Sequence, residues 1–255
     1  MRRLLGAVVA TALLLSARCD VLAAGPDAKA VIEKAIAALG GEAKLAALES
    51  KAIETKGKGT LTFNGNEGKF TLKVITQGLD HSRQEFDGDF NGNAIKAVTV
   101  LDGNKGWRTS PGNSGPLDEE ALANQKRAAY LSHVPAIILP LKGKDFKVES
   151  TKEDTVGDKP VVVLKVVGPD KKDFELFFDK ENGLPVKLIA KVAGFQGEEY
   201  TQESTYSKYR DFGGVKRSTQ VENKHDGQKF MDLEITDVKV LDKTDPKTFA
   251  EPPAE

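Results

Sequence analysis

Alternating apolar and polar residues run through most of the chain, and they are clearest in its second half. Residues 173–194 and 199–241 are rich in Val, Thr, Tyr and Phe, and turns that contain Gly interrupt them. Every second residue of a strand lies on the same face. In the strand before Gly183 this rule places Phe174, Leu176 and Phe178 on one face. In the strand after Gly183 it does the same for Val186, Leu188, Ala190 and Val192. The pattern predicts a long antiparallel meander with an apolar face that must be covered.

The first half repeats this hairpin pattern. Phe70, Leu72 and Val74 alternate with polar neighbours, as expected of a half-buried strand. Strands are predicted at 51–63, 68–78, 80–88, 93–103, 145–154 and 159–168, and a Gly-containing turn precedes Trp107. Trp107 has two interpretations, a core residue at the start of a strand or a wall of a ligand cavity.

Two short helices are predicted at the start of the chain, within residues 25–50. Pro26 and Asp27 are suited to a helix start, and a Gly pair at 40–41 stops the first helix. An apolar stripe of Val31, Ile32, Ala35, Ile36 and Leu39 lies between these signals. The first helix should therefore pack on an apolar surface. A second, shorter helix carries Leu45 and Leu48.

A third helical segment, residues 116–143, separates the two sets of strands. Acidic residues at 118–120 favour a helix start there, because they complement the helix dipole. After His133 the chain is almost entirely apolar up to residue 141, and Pro135 and Pro140 interrupt it. Prolines exclude an ordinary helix interior, so a kinked helix or loop is expected. The run is either a plug of the core or a movable lid over an apolar cavity.

The first 24 residues have the pattern of a secretory signal peptide. Arg2 and Arg3 precede an apolar run, and Ala23 and Ala24 offer two cleavage positions. The run is too short for a membrane span. Cys19 is the only cysteine, and a charged residue precedes it where a lipidation signal needs a small one, which argues against lipid anchoring. The remaining residues, 25–255, are expected to form one domain, secreted across the inner membrane to the periplasm.

Charge excludes some partners. The chain has 37 basic and 38 acidic residues, and removal of the leader takes three arginines and one aspartate, which leaves a net charge of about −3. The signs are interspersed, whereas a nucleic-acid-binding protein needs a basic stripe, so no nucleic-acid partner is expected. The oligomeric state does not follow from the sequence.

The sequence offers little support for catalysis. His81, His133 and His225 are the only histidines, and none has a metal-ligand spacing. No GxSxG nucleophile motif is present, and residues 113–115 are predicted to form a Pro/Gly loop. Glu198 and Glu199 are adjacent on a strand and point to opposite faces. We expect no enzyme activity and no cofactor or metal.

Several turns and strand ends together resemble a known family. ALGGEAKLAALES, the DGNKGW turn, the PLDEEAL helix, LFFDKENGLPVKL and YSKYRDFGGVK look like outer-membrane lipoprotein-sorting-like proteins, the LolA/LolB-like superfamily, in a divergent stand-alone envelope form. The resemblance covers nearly the whole mature chain. It implies an α+β fold in which a strongly curved antiparallel sheet forms an unclosed half-barrel and helices cover the open side.

The resemblance also implies that the apolar interior binds lipid or lipoprotein acyl chains, as in a lipoprotein carrier, and an envelope protein is a further possible partner. The alternative is a non-catalytic envelope accessory module whose interior is filled by its own side chains. In the family a strand arginine holds the helical lid, and Arg83 and Arg108 are the candidates here. The expected cavity and lid residues are Phe70, Leu72, Val74, Trp107, Ile137, Ile138, Leu139, Leu164, Val166, Phe174, Leu176, Phe178 and Leu188.

Overall fold

The fold is that of a computed structural model, which describes residues 26–63, 65–194 and 197–253. The predicted signal peptide and Cys19 lie outside these residues. The helices are α1 Ala28–Leu39, α2 Glu42–Glu49 and α3 Glu119–Ile137, with a 3-10 turn at Leu139–Lys142. The strands are β1 Ala52–Phe63, β2 Asn66–Gln77, β3 His81–Phe90, β4 Asn93–Asp102, β5 Lys105–Ser110, β6 Asn113–Pro116, β7 Lys147–Val156, β8 Lys159–Val167, β9 Asp173–Asp179, β10 Pro185–Ala193, β11 Glu199–Phe212, β12 Val215–His225 and β13 Gln228–Leu241.

The strands form one antiparallel sheet in the order β6-β5-β4-β3-β2-β1-β13-β12-β11-β10-β9-β8-β7. Each sequential hairpin is paired, and β1 pairs with β13, so the first and last strands are neighbours at the centre of the sheet. The two edges, β6 and β7, are joined by the segment that contains α3. The sheet is strongly curved and does not close. The predicted unclosed half-barrel with helices on one side is confirmed.

The N-terminal helices begin and end where the sequence predicts. Asp27 is the N-cap of α1, and its carboxylate accepts a hydrogen bond from the Lys29 backbone N–H. Gly40 ends the helix with φ 135°, and a Cβ there would lie 2.4 Å from the Gly214 carbonyl oxygen. A glycine is therefore required both by the backbone conformation and by the close approach of the β11–β12 turn.

The central helix ends within the proline-containing run, although Pro135 itself lies inside the helix. Asp118 caps α3 by accepting a hydrogen bond from the Ala121 N–H, at 2.8 Å. The helix passes through Pro135, ends at Ile137, and reverses at Ile138, which has φ 62°. A β-branched residue is uncommon in this left-handed region, so the surrounding packing must hold it there.

Two local predictions are wrong. Residues 113–115 are not a loop, because a turn with Gly112 at φ 76° folds them back as edge strand β6. Val186 does not share a face with Leu188, because a bulge between Pro185 and Lys187 shifts the register. Val186 instead packs against Val161, Val163 and Phe177 on the face without helices.

The main core lies between the helices and the second set of strands. α1, α2, α3 and the 3-10 turn pack onto β7–β10, with Ile53 of β1 and Val215 of β12 at the far side. A second apolar cluster is formed around Leu61, Phe70, Phe90 and Leu233. Ile53, Gly57, Gly59 and Leu61 are separated by even numbers of positions along β1, so both clusters lie on the helix-bearing face.

The second cluster is filled by its own side chains. Phe70 stacks on Phe86 with ring centroids 5.3 Å apart, and Phe86 stacks on Phe90 at 6.5 Å. Glycines make room for this packing: a Cβ on Gly88 would lie 2.7 Å from the Phe86 ring, and a Cβ on Gly59 would lie 1.9 Å from the Asp232 carbonyl oxygen. The sheet curls tightly here without a helix to cover it.

Candidate ligand-binding site

Most of the predicted cavity residues are brought together by the fold, but as a packed core. The ones that belong to the main cluster, each at most 2% exposed, are Ile137, Ile138, Leu164, Val166, Phe174, Leu176, Phe178 and Leu188. Leu139 packs against the same cluster and is half-buried. In this conformation the helices therefore plug the half-barrel above β8–β10.

The remaining predicted residues are in three other places. Phe70 and Leu72 belong to the second cluster. Val74 is half-buried on the same face, where it pairs with Thr55. A Cβ built on Gly106 would point at Leu117 and at Leu122 of α3, so position 106 faces the helices. The next residue, Trp107, therefore directs its indole to the opposite face of the sheet. Trp107 is not brought together with the other predicted residues.

The arginine that connects α3 to the sheet is Arg127, which was not among the arginines proposed from the sequence. Its guanidinium donates to the Asp170 carboxylate at 2.8 Å, to the carbonyl oxygen of Lys191 at 2.7 Å and to that of Asp173 at 2.9 Å. It also donates to the Tyr130 hydroxyl, which in turn donates to Asp170 at 2.8 Å. These contacts, which we call the Arg127 latch, join α3 to β10 and to the β8–β9 connection.

The latch is largely shielded from solvent. The Arg127 side chain is 4% exposed and that of Asp170 is 25% exposed. Burial, together with the Asp170 carboxylate, raises the pKa of the Tyr130 hydroxyl, which therefore stays protonated and can donate. The two arginines proposed from the sequence have other partners, since Arg83 binds Glu85 at 2.7 Å and Arg108 reaches Thr99 at 3.4 Å.

A polar layer lies beneath α3. His133 is 8% exposed, and its Nε2 has no hydrogen-bond partner among the described residues. Burial, with a smaller contribution from the Arg217 cation, lowers the pKa of His133 to about 4, so this imidazole is neutral at physiological pH. Tyr209 is nearby, and its hydroxyl donates to the Pro185 carbonyl oxygen at 2.7 Å. Burial raises the pKa of this tyrosine as well.

An apolar pocket of about 310 Å³ opens beside this layer, between α2 and the sheet. We call it the α2 pocket. It is lined by Leu48, Ile53, Phe212, Gly213, Val215, Arg217, Val238 and Val240. Val240 is 42% exposed and marks the mouth, whereas Ile53 is 2% exposed. This volume falls at the lower end of the range of small-molecule sites, roughly 300 to 1,000 Å³.

A larger depression of about 810 Å³ lies on the opposite face of β12, β13 and β1–β4. It is broad and open, and charges of both signs line it, with Lys58 and Glu234 paired at 3.7 Å. Such a surface is ordinarily solvated, so the α2 pocket is the better candidate for an apolar ligand.

Within the described residues, no group of three or more His, Cys, Asp or Glu side chains is arranged to hold a metal ion. Nor is any helix among those residues long and apolar enough to cross a bilayer.

No protein-family model matches the sequence, and no curated protein matches it. Solved structures do match. A LolA superfamily protein from Nitrosomonas europaea aligns with a TM-score of 0.57 at 16% identity, over 87% of this chain and 96% of its own. The chain has the LolA-like fold. A DUF1329 family protein from Desulfovibrio piger gives 0.53 at 11% identity, over 87% of this chain and 96% of its own.

A third structure, assigned to outer membrane lipoprotein sorting in Vibrio parahaemolyticus, gives a TM-score of 0.50 at 11% identity, over 86% of this chain and 97% of its own. These likenesses confirm the fold predicted from the resemblance. Because the sequence identities are low, these likenesses show the fold but do not identify a ligand.

Proposed function

We propose that this LolA-like protein is an exported envelope protein of the periplasm that binds lipid or lipoprotein acyl chains without catalysis. The observation that carries the proposal is the α2 pocket, an apolar cavity that opens on the helix-bearing face of the half-barrel. The Nitrosomonas and Vibrio structures support it, since one belongs to the LolA superfamily and the other is assigned to lipoprotein sorting.

The pocket volume sets the size of the ligand that fits without rearrangement. A water-sized group occupies about 30 Å³, so the pocket holds roughly ten methylene-sized groups. Burial of a methylene is worth about 0.8 kcal/mol, which gives about 8 kcal/mol before the cost of ordering the chain. A longer chain must extend past Val240 or displace the helices.

Displacement of α3 is the route to a larger cavity. α3 follows β6 and precedes β7, which are the two edges of the sheet, so its outward movement breaks no hydrogen bond between strands. It does break the Arg127 latch and expose the main core. In this proposal an acyl chain binds above β8–β10 only when the contacts of the Arg127 latch are broken. Ile137 and Ile138 then line the opened cavity.

A second candidate function is a binding or accessory module of the envelope that uses its outer surfaces. The packing of the predicted cavity residues favours it, since Leu164, Leu176 and Ile138 have no exposed area in this conformation. The two candidates differ in whether the protein binds an apolar ligand inside.

Native mass spectrometry of protein purified from envelope extracts separates the two. We expect a co-purifying lipid mass, and after its removal we expect the protein to bind a fluorescent acyl probe. Val240→Trp fills the mouth of the pocket and should weaken probe binding at least about tenfold, a difference of about 1.4 kcal/mol. Lys239→Trp adds the same bulk on the opposite face and should bind like wild type. Absence of both lipid mass and probe binding would establish the accessory module instead.

A further inference from the structure

The α2 pocket contains one charged residue, which has no ion-pair partner among the described residues. Arg217 is the only charged side chain among the residues that line the pocket. Its guanidinium carries five N–H donors, yet it has no carboxylate partner among the described residues, and its charge interacts with Tyr209. Burial lowers the pKa of Arg217, but an arginine remains protonated in proteins. The pocket therefore holds an unneutralised cation against apolar walls.

Arg217 is half-buried, so its guanidinium has lost part of its hydration. Transfer of a charged group into apolar surroundings costs several kcal/mol unless it is paired and hydrogen-bonded. The other lining residues are Leu48, Ile53, Phe212, Gly213, Val215, Val238 and Val240, none of which offers an acceptor side chain. An anion that enters the pocket would supply the acceptor that the protein lacks.

His133 provides a second sign of an absent partner. It is 8% exposed, and its Nε2 is unpartnered among the described residues. It is near enough to Arg217 for the guanidinium charge to lower its pKa. Two polar side chains from different elements, β12 and α3, thus leave hydrogen-bonding capacity unused in the same part of the interior.

The apolar walls select the rest of the ligand. Besides Arg217 the pocket is lined by Ile53, which is buried, and by Val240, which is exposed. A ligand that satisfies both parts has an anionic head and an apolar tail. With about 310 Å³ available, one chain and a small head fit, whereas two chains and a phosphodiester head do not. A planar carboxylate also matches the guanidinium fork.

We propose that the α2 pocket binds a single-chain fatty acid head first, with its carboxylate on Arg217 and its chain leading out past Ile53 and Val240. This inference rests on the proposed acyl-chain function and specifies the head group. The carboxylate accepts hydrogen bonds from the guanidinium, which neutralises the half-buried cation.

The first test compares head groups on the wild-type protein. Displacement of the neutral fluorophore N-phenyl-naphthylamine is measured with palmitate, with its methyl ester and with the alcohol of the same chain length, on lipid-free mature protein. Charge-assisted hydrogen bonds are worth about 1.5 to 3 kcal/mol, so palmitate should bind roughly tenfold to a hundredfold more tightly than the ester or the alcohol. Equal affinities would overturn the carboxylate proposal and leave acyl-chain binding intact.

The second test uses matched variants. Arg217→Met should abolish the preference for palmitate while it keeps the affinity for the alcohol. Lys216→Met removes a cation from the adjacent, exposed position of β12, which faces the other side of the sheet, and it should retain the preference. Palmitate binding to Arg217→Met at wild-type affinity would refute the assignment of the head group. If Arg217→Met fails to fold, the ester and alcohol comparison on wild type decides the question. Wild type that binds none of the three ligands would instead refute the proposed acyl-chain function.

Discussion

The Arg127 latch gives the sharpest prediction about stability. Arg127→Met keeps most of the side-chain volume of a 4% exposed residue but removes its ion pair with Asp170 and its bonds to the Lys191 and Asp173 carbonyl oxygens. Removal of one member of a buried pair costs roughly 3 to 5 kcal/mol. Asp170 is 25% exposed and recovers some hydration, so we expect a loss of about 3 kcal/mol in the free energy of unfolding.

The measurement is urea denaturation followed by circular dichroism, with thermal unfolding in parallel. For a domain of this size a loss of about 3 kcal/mol lowers the Tm by roughly 6 to 12 °C. The matched control is Lys126→Met on the same helix, which removes one cation that donates a hydrogen bond to Asn104 at the exposed surface. It should change stability by less than about 0.5 kcal/mol. A loss below about 1 kcal/mol for Arg127→Met, or equal losses for the two variants, would refute the role of the latch.

Two further predictions concern the interior. The pKa of His133 is about 4 in the folded protein and about 6.5 when unfolded, so the unfolded state binds more protons between these values and stability falls as the pH falls through this window. His133 should lower the free energy of unfolding by about 2 kcal/mol between about pH 7 and about pH 5. His133→Leu should lack this part of the pH dependence in urea titrations. The same difference in stability between the two proteins at both pH values would contradict the prediction. Gly59→Ala places a Cβ 1.9 Å from the Asp232 carbonyl oxygen, so β1 and β13 must separate. The free energy of unfolding should therefore fall by about 2 to 4 kcal/mol. Thr60→Ala, the neighbouring residue on the same strand, is its control, and similar denaturation midpoints for the two would show that the sheet relaxes without cost.

Features that depend on neighbouring residues were predicted from the sequence. Asp27, the Gly pair at 40–41 and Pro135 act within a few residues of their own positions, and the helix ends lie where they indicated. The alternation of apolar residues likewise predicted the strands. The errors at Val186 and at β6 come from a bulge and a turn, which shift a strand without changing its composition.

The site could be predicted only in part because its polar contacts are distant in sequence. Arg127 reaches Asp170 and the Lys191 carbonyl oxygen, 43 and 64 residues further on, and a backbone carbonyl has no sequence signature. Arg217 did leave a signal. It lies two residues after Val215 and four before Val221. Thr219 is the other residue on this face between the two valines, and an arginine at such a position is a candidate for an internal charge.

The pairing of β1 with β13 has a consequence for how the chain is made. Ala52 pairs with Leu241, so the central ladder joins segments that are separated by most of the chain. The hairpins β1–β6 can form early during synthesis, but one edge of β1 stays unpaired until the last strand has emerged. Such non-local pairing is slow, and an open central edge is a template for wrong partners. The nascent protein should therefore depend on chaperones until Gln228–Leu241 is available, and truncations that remove this last strand should aggregate rather than form a smaller half-barrel.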